Sequence, residues 1–210
     1  MPDVIFPGPE GRLEGRFSPP PRPRAPVAMI LHPHPHGGGT MNDHITQALY
    51  KTFVKRGFAT LRFNFRGVGR SAGTWDEGRG ERDDFKAAVD FMAAQFPGKE
   101  LWAAGFSFGA YIALTAGAED DRICALIGIA PPVNRYDFEA VKRSTKPKFI
   151  IHGEADELIP LKQVREFYAQ LADPKELVEI DRANHLFDGQ VGEVADALED
   201  LLADFTCRTQ

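Results

Sequence analysis

Short continuous apolar runs alternate along this chain with stretches whose apolar residues recur every three or four positions. That rhythm predicts βαβ units around a mostly parallel sheet. Val27–Leu31, Thr60–Phe65, Leu101–Ala104, Ile123–Ala130, Phe149–His152 and Leu177–Ile180 read as buried strands. Between them, Ile45, Ala48, Leu49 and Phe53 form one helical stripe, capped by Asn42 or Asp43 and stopped at Gly57. A second stripe, Phe85, Ala88, Val89, Met92 and Phe96, predicts a helix over Asp84–Phe96 that ends at Pro97-Gly98. Small residues over Ala110–Ala116, and amphipathic stretches over Leu161–Leu171 and Val191–Phe205, predict three more. The opening differs. Val4-Ile5-Phe6 and Leu13–Phe17, split by Pro7-Gly8-Pro9, predict an antiparallel hairpin edge, and the Pro-rich Ser18–Pro26 reads as an extended surface connector.

Composition narrows the class. With 210 residues, 43% hydrophobic and 26% charged, and with no internal repeat or linker, the chain is expected to form one domain over 1–210. A net charge of −5 gives no general attraction to nucleic acid. The longest apolar runs are too short to cross a bilayer, and Met1-Pro2-Asp3 lacks the start of a secretory leader. Two cysteines, Cys124 and Cys207, are too few for a disulfide framework, so a cytoplasmic protein is expected.

The sharpest chemical signal is Gly105-Phe106-Ser107-Phe108-Gly109, a G-x-S-x-G between a strand and a helix. In that context a serine sits on a tight corner in a strained positive-φ conformation, and the flanking glycines avoid collisions across the turn. The following helix points free N–H groups toward the serine. A serine hydroxyl needs an imidazole to take its proton, and the imidazole needs an orienting carboxylate. Asp156 follows the Phe149–His152 strand, with Glu154 and Glu157 as competing carboxylates and helix capping as its plain alternative role. His185 lies after the next strand and is the sole histidine downstream of Asp156. His152 precedes Asp156 and reads as a structural strand-end residue.

Attack on a carbonyl also requires preset N–H donors for the oxyanion. The backbone of Phe108 supplies one. The second is expected from His32–Gly39, where Pro33 and Pro35 carry no N–H, which leaves His34 first and His36 as the alternative. The same loop admits a metal reading, with His32, His34 and His36 alternating along an extended chain and Asp43 or His44 completing the set. The serine chemistry itself needs neither metal nor cofactor. Gly67-Val68-Gly69-Arg70-Ser71-Ala72 superficially matches a dinucleotide fingerprint, but no helix opens directly after it. Arg66, Arg70, Arg79 and Arg82 could meet an anionic substrate group or simply form a solvated charged face.

On these residues the chain resembles the α/β-hydrolase superfamily over nearly its whole length, most of all a compact, lidless group of bacterial serine hydrolases of largely unassigned substrate. The carrying segments are Leu31–Asp43, Arg62–Gly73, Gly78–Asp84, Gly105–Gly109, His152–Pro160 and Ala183–His185. The resemblance implies a mostly parallel doubly wound sheet with an antiparallel N-terminal hairpin edge and no large cap domain. It also implies Ser107, Asp156 and His185 as a triad. Pro33 stands where this superfamily often has glycine. Only a short excursion, Pro131–Lys146, fits where a cap is often inserted, and Tyr136, Phe138 and Val141 could line a lip there or pack into the core. The expected activity is cofactor-independent cleavage of a carboxylic ester or thioester through an acyl-enzyme. A small peptidase, an acyltransferase and a non-catalytic binding protein are the alternatives. The expected partner is a small-molecule acyl substrate, with no nucleic acid or membrane, and a homodimer is compatible with the chain.

Overall fold

The computed structural model describes residues 3–205 and 207; Met1 and Pro2, on which part of the leader argument rests, lie outside them. Two strands, β1 (Asp3–Gly8) and β2 (Gly11–Ser18), form the expected antiparallel hairpin. The remaining strands are β3 (Val27–Leu31), β4 (Ala59–Phe63), β5 (Leu101–Phe106), β6 (Ile123–Ile129), β7 (Lys148–Gly153) and β8 (Lys175–Ile180). The order across the sheet is β1-β2-β4-β3-β5-β6-β7-β8, with β2 antiparallel to β4 and every later pair parallel.

The helices are α1 (His44–Lys55), α2 (Arg79–Gln95), α3 (Phe108–Glu119), α4 (Glu139–Arg143), α5 (Leu161–Ala169) and α6 (Val191–Asp204), with a 3₁₀ turn at Pro35–Gly37. They cover both faces. Val27, Met29 and Leu31 of β3 pack with α2, α3 and α5 residues on one side, while Ala28 and Ile30 meet α1 and α6 residues on the other. Burial on both faces is why the parallel strands read as continuous apolar runs. No helix among the described residues is long and apolar enough to cross a membrane. The fold class expected from the chain is the one observed, and the Pro131–Lys146 excursion carries only α4 in place of a cap.

One boundary departs from the reading of the chain, and two further points are decided by the structure. Helix α2 begins at Arg79 rather than Asp84, because the Glu81 carboxylate accepts N–H bonds from Asp76 (3.0 Å) and Gly78 (2.7 Å) and closes the first turn. Gly80 in that turn looks like a helix breaker, yet any Cβ there would run into the Arg66 guanidinium. The excursion divides its apolar side chains: Phe138 and Val141 are buried in the core, whereas Tyr136 lines the cavity described below. Finally, Cys124 of β6 and Cys207 are joined as a disulfide, against the expectation from their number. The chain after α6 turns back past Trp102 and Phe149, both in aromatic contact with Phe205, and this return brings the two sulfurs together.

The segment that mimics a dinucleotide fingerprint is a structural knot. Asn64 accepts from the Met41 amide (2.8 Å) and donates to Glu14 (2.5 Å), and Arg70 also binds Glu14 (2.6 Å). Buried Arg66 binds buried Asp84 through its backbone N–H (2.8 Å) and its guanidinium (2.9–3.2 Å). Removing one member of such a pair strands the other charge away from water. Asp84→Ala is therefore expected to lower unfolding stability by about 3–5 kcal/mol in urea denaturation, and Arg66→Met combined with Asp84→Leu to recover most of it. Equal loss in the single and double variants would show that the ion pair is not the cause.

Candidate active site

Strand β5 delivers Phe106 to the sheet's C-terminal edge, and α3 starts at Phe108. Ser107 between them has φ 53° and ψ −116°. This corner exists because two backbones pass each other closely: a Cβ on Gly105 would strike the Gly109 carbonyl, and one on Gly109 would strike the carbonyls of Leu31 and His32. The Ser107 amide is tied to the Ile129 carbonyl at 2.8 Å, which fixes the corner against β6.

The hydroxyl meets its expected partner. Ser107 Oγ lies 3.0 Å from His185 Nε2, and His185 Nδ1 lies 2.7 Å from Asp156 Oδ2. The other Asp156 oxygen accepts from the amides of Leu158 (2.9 Å) and Ile159 (2.8 Å), so the carboxylate is held at both ends. Burial alone would raise the Asp156 carboxyl, but the bonds from His185 and from the Ile159 amide outweigh it and hold the pKa below the ordinary value. The alternative carboxylates do not reach the ring. Glu157 touches only the His185 amide, at 3.4 Å, and Glu154 is exposed. Nor does Asp156 cap α5, whose N-cap is Pro160.

Two further contacts place His185. A Cβ at Gly153 would strike the Ala183 carbonyl, so glycine at the end of β7 lets the His185 loop close against it. His44, at the start of α1, donates from Nε2 to the Leu186 carbonyl at 2.7 Å. Asp43 caps α1 by accepting from Ile45 (3.0 Å) and Thr46 (3.2 Å), which decides between it and Asn42.

The loop after β3 can be settled by counting its N–H groups. Pro33 and Pro35 have none. The His36 amide donates to His34 Nδ1 (3.1 Å), those of Gly37 and Gly39 to the His34 carbonyl (each 3.0 Å), and that of Gly38 to Pro35 (3.0 Å). Among the described residues, the His34 amide has no such bond, nor does that of Phe108 at the start of α3. Both residues line the same cavity of about 470 Å³ as Ser107 and His185. The three loop histidines do not converge as a ligand set. His32 is buried, with Nε2 accepting from the Phe65 amide (3.1 Å) and Nδ1 donating to the Pro33 carbonyl (2.7 Å). His34 and His36 instead pack at a tilt against the Trp75 ring, with centroids 4.6 and 5.3 Å away. His152 donates to the Ile159 carbonyl at 2.8 Å and braces the Asp156 turn.

The arginines singled out in the sequence are all occupied. Arg66 and Arg70 sit in the knot, Arg79 pairs with Asp76 and Glu77, and Arg82 binds Glu119 and Thr115. Sequence reasoning missed the residues that give the cavity its character: Arg135, and the exposed side chains of Leu158 (44%) and Leu186 (46%) at its mouth. The available signal was position, since all three lie just past strand ends on the rim that carries Ser107.

Comparison with known proteins bears on the family and the fold. The family model described as serine aminopeptidase, S33, matches residues 34–139. A Rickettsia prowazekii protein of uncharacterised function is 37% identical, over 96% of this chain and 89% of its own length. The structure of an Agrobacterium tumefaciens protein of unknown function superposes with a TM-score of 0.92 at 43% identity, covering 96% of this chain and 95% of that one. An α/β serine hydrolase without a lid from Xanthomonas campestris gives 0.88 at 33% identity, covering 100% and 96%.

His32 makes the site's scaffold sensitive to acid. Burial pushes its pKa down from 6.5 to about 4, against a smaller opposing effect of the Pro33 hydrogen bond. The unfolded chain then binds the extra proton first, so stability is intact above pH 6.5 and is lost as the pH falls toward 4. The contribution is about 3 kcal/mol. His32→Gln keeps a donor and an acceptor but no titrating ring, and thermal unfolding between pH 7 and pH 4 should show a flatter decline than the parent. Parallel curves would refute this assignment.

Proposed function

This chain belongs to the serine aminopeptidase S33 family within the α/β serine hydrolases, and on that premise we propose that it cleaves a carboxylic ester or thioester through an acyl-enzyme, without a cofactor. The observation that carries the reading is the continuous hydrogen-bonded path from Ser107 Oγ through His185 to Asp156. His185 Nε2 accepts the hydroxyl proton as Oγ attacks the acyl carbon. The unpaired amides of Phe108 and His34 hold the resulting oxyanion. His185 then gives the proton to the leaving group, and water, deprotonated by the same imidazole, releases the acid. Asp156 keeps the ring in the tautomer that accepts at Nε2 and stabilises the imidazolium.

The family description favours a second reading, a peptidase acting at a free amino terminus. Such a substrate brings an ammonium group that needs a carboxylate. Asp43 is the one carboxylate of the cavity lining, and its side chain already serves the Ile45 and Thr46 amides. The lining cation, Arg135, has the wrong sign for an ammonium. Both facts favour the ester or thioester. An acyltransferase would use the same acyl-enzyme with another nucleophile in place of water.

A fluorophosphonate probe should label Ser107 stoichiometrically, and His185→Ala should abolish the labelling. Ser107→Ala should fold normally and cut turnover of short p-nitrophenyl esters by about 10³-fold or more, with Asp156→Asn losing a comparable amount. Unlabelled protein would support a binding module on this fold, and full activity in Ser107→Ala would end the proposal.

A further inference from the structure

The wall of the active-site cavity divides into two chemical halves. Phe106, Pro132, Leu158, Ile159 and Leu186 offer apolar surface, and two of these, Leu158 and Leu186, are among the most exposed large apolar side chains described. Opposite in character is Arg135. It stands on the excursion after β6, its amide bonded to the Pro132 carbonyl at 3.0 Å, and its side chain is exposed. Among the described residues no carboxylate lies within 4.0 Å of its guanidinium, whereas Arg66, Arg70, Arg79, Arg82 and Arg122 each hold at least one. It is also the one lysine or arginine of the lining.

One neighbouring imidazole, that of His34, does not share this charge. Burial first, then His36 and Arg135, hold the His34 pKa below its ordinary value, so that ring is mostly neutral near pH 7. Arg135 is thus a cation lining the same partly apolar cavity as Ser107, and among the described residues its guanidinium has no ion-pair partner. Asp43, the lining carboxylate, is turned to its helix cap and to His44 at 3.4 Å, and it does not neutralise Arg135.

We infer that the substrate is an anionic ester or thioester: a carboxylate or phosphate a few atoms from the scissile carbonyl pairs with Arg135 while the apolar remainder lies along Leu158 and Leu186. The inference rests on the hydrolase reading above and assigns Arg135 as the residue that selects charge. Guanidinium suits such a group because its fork of donors matches the oxygens of a carboxylate or phosphate.

Two matched substrate pairs test this and separate the two halves of the ester. On the acyl side, p-nitrophenyl hydrogen glutarate is compared with its methyl ester. On the leaving-group side, m-carboxyphenyl butyrate is compared with m-carbomethoxyphenyl butyrate. The readout is the kcat/KM ratio of charged to neutral member, taken variant against parent so that intrinsic reactivity cancels. In at least one pair Arg135→Gln should lower that ratio roughly two- to fivefold, the range set by an ion pair at a solvent-accessible rim. Arg135→Glu should lower it further, Arg135→Lys should keep part of it, and added salt should shrink the parent's preference. Ratios that are identical in the parent, Arg135→Gln and Arg135→Glu, with Ser107 still labelled by fluorophosphonate, would overturn the inference and leave the hydrolase reading standing. Absence of both labelling and ester cleavage in the parent would remove both.

Discussion

Everything at this site follows from one steric fact, the close crossing of backbone at Gly105 and Gly109. Side chains at those positions would collide with main-chain carbonyls, so glycine there lets β5 turn into α3 with no intervening loop. The residue at the apex must then take the positive φ seen at Ser107, a conformation that costs roughly 1–3 kcal/mol at a non-glycine position. The surrounding sheet holds it there. The same crossing presses α3 against the end of β3, which sets the free amide at the start of the helix in the same cavity as the loop carrying His34.

From that corner outward, the site is a set of loops at the C-terminal ends of β3, β5, β6, β7 and β8, each pinned by a different bond. His32 ties the β3 loop to the segment after β4, and the Asp156 turn is braced by His152. His44 reaches from α1 to the His185 loop, with Gly153 allowing close approach. Histidine appears in all three of these braces, and in each a ring nitrogen bonds a backbone group, which is how a loop is held without a regular ladder. A histidine-dense sequence here reflects loop anchoring at least as much as chemistry.

Because the five-residue α4 is the only helix of the excursion after β6, the cavity stays open on the side where Arg135, Leu158 and Leu186 stand. The Asn134 side chain donates to the Leu158 carbonyl at 3.0 Å, so the cationic and apolar edges of the mouth are linked to one another. On the activity proposed above, substrate selection falls to such rim residues, since among the described residues α4 is the only helix inserted between β6 and β7.

The strands, the helical stripes and the order of Ser107, Asp156 and His185 were legible in the chain, because periodicity and the strand–glycine–helix corner are short-range properties. The first turn of α2 was not legible, since its glycine is explained by Arg66 crossing over it from another loop. Other choices also waited for the tertiary structure: Asp156 over Glu154 and Glu157, His34 over His36 as the unpaired amide, paired arginines over an open patch, and the bond between Cys124 and Cys207. Each depends on which groups meet after chain segments tens of residues apart are folded together. A sequence specifies the donors and acceptors it carries, but which of them remain unspent is decided only when the packed fold has matched the others.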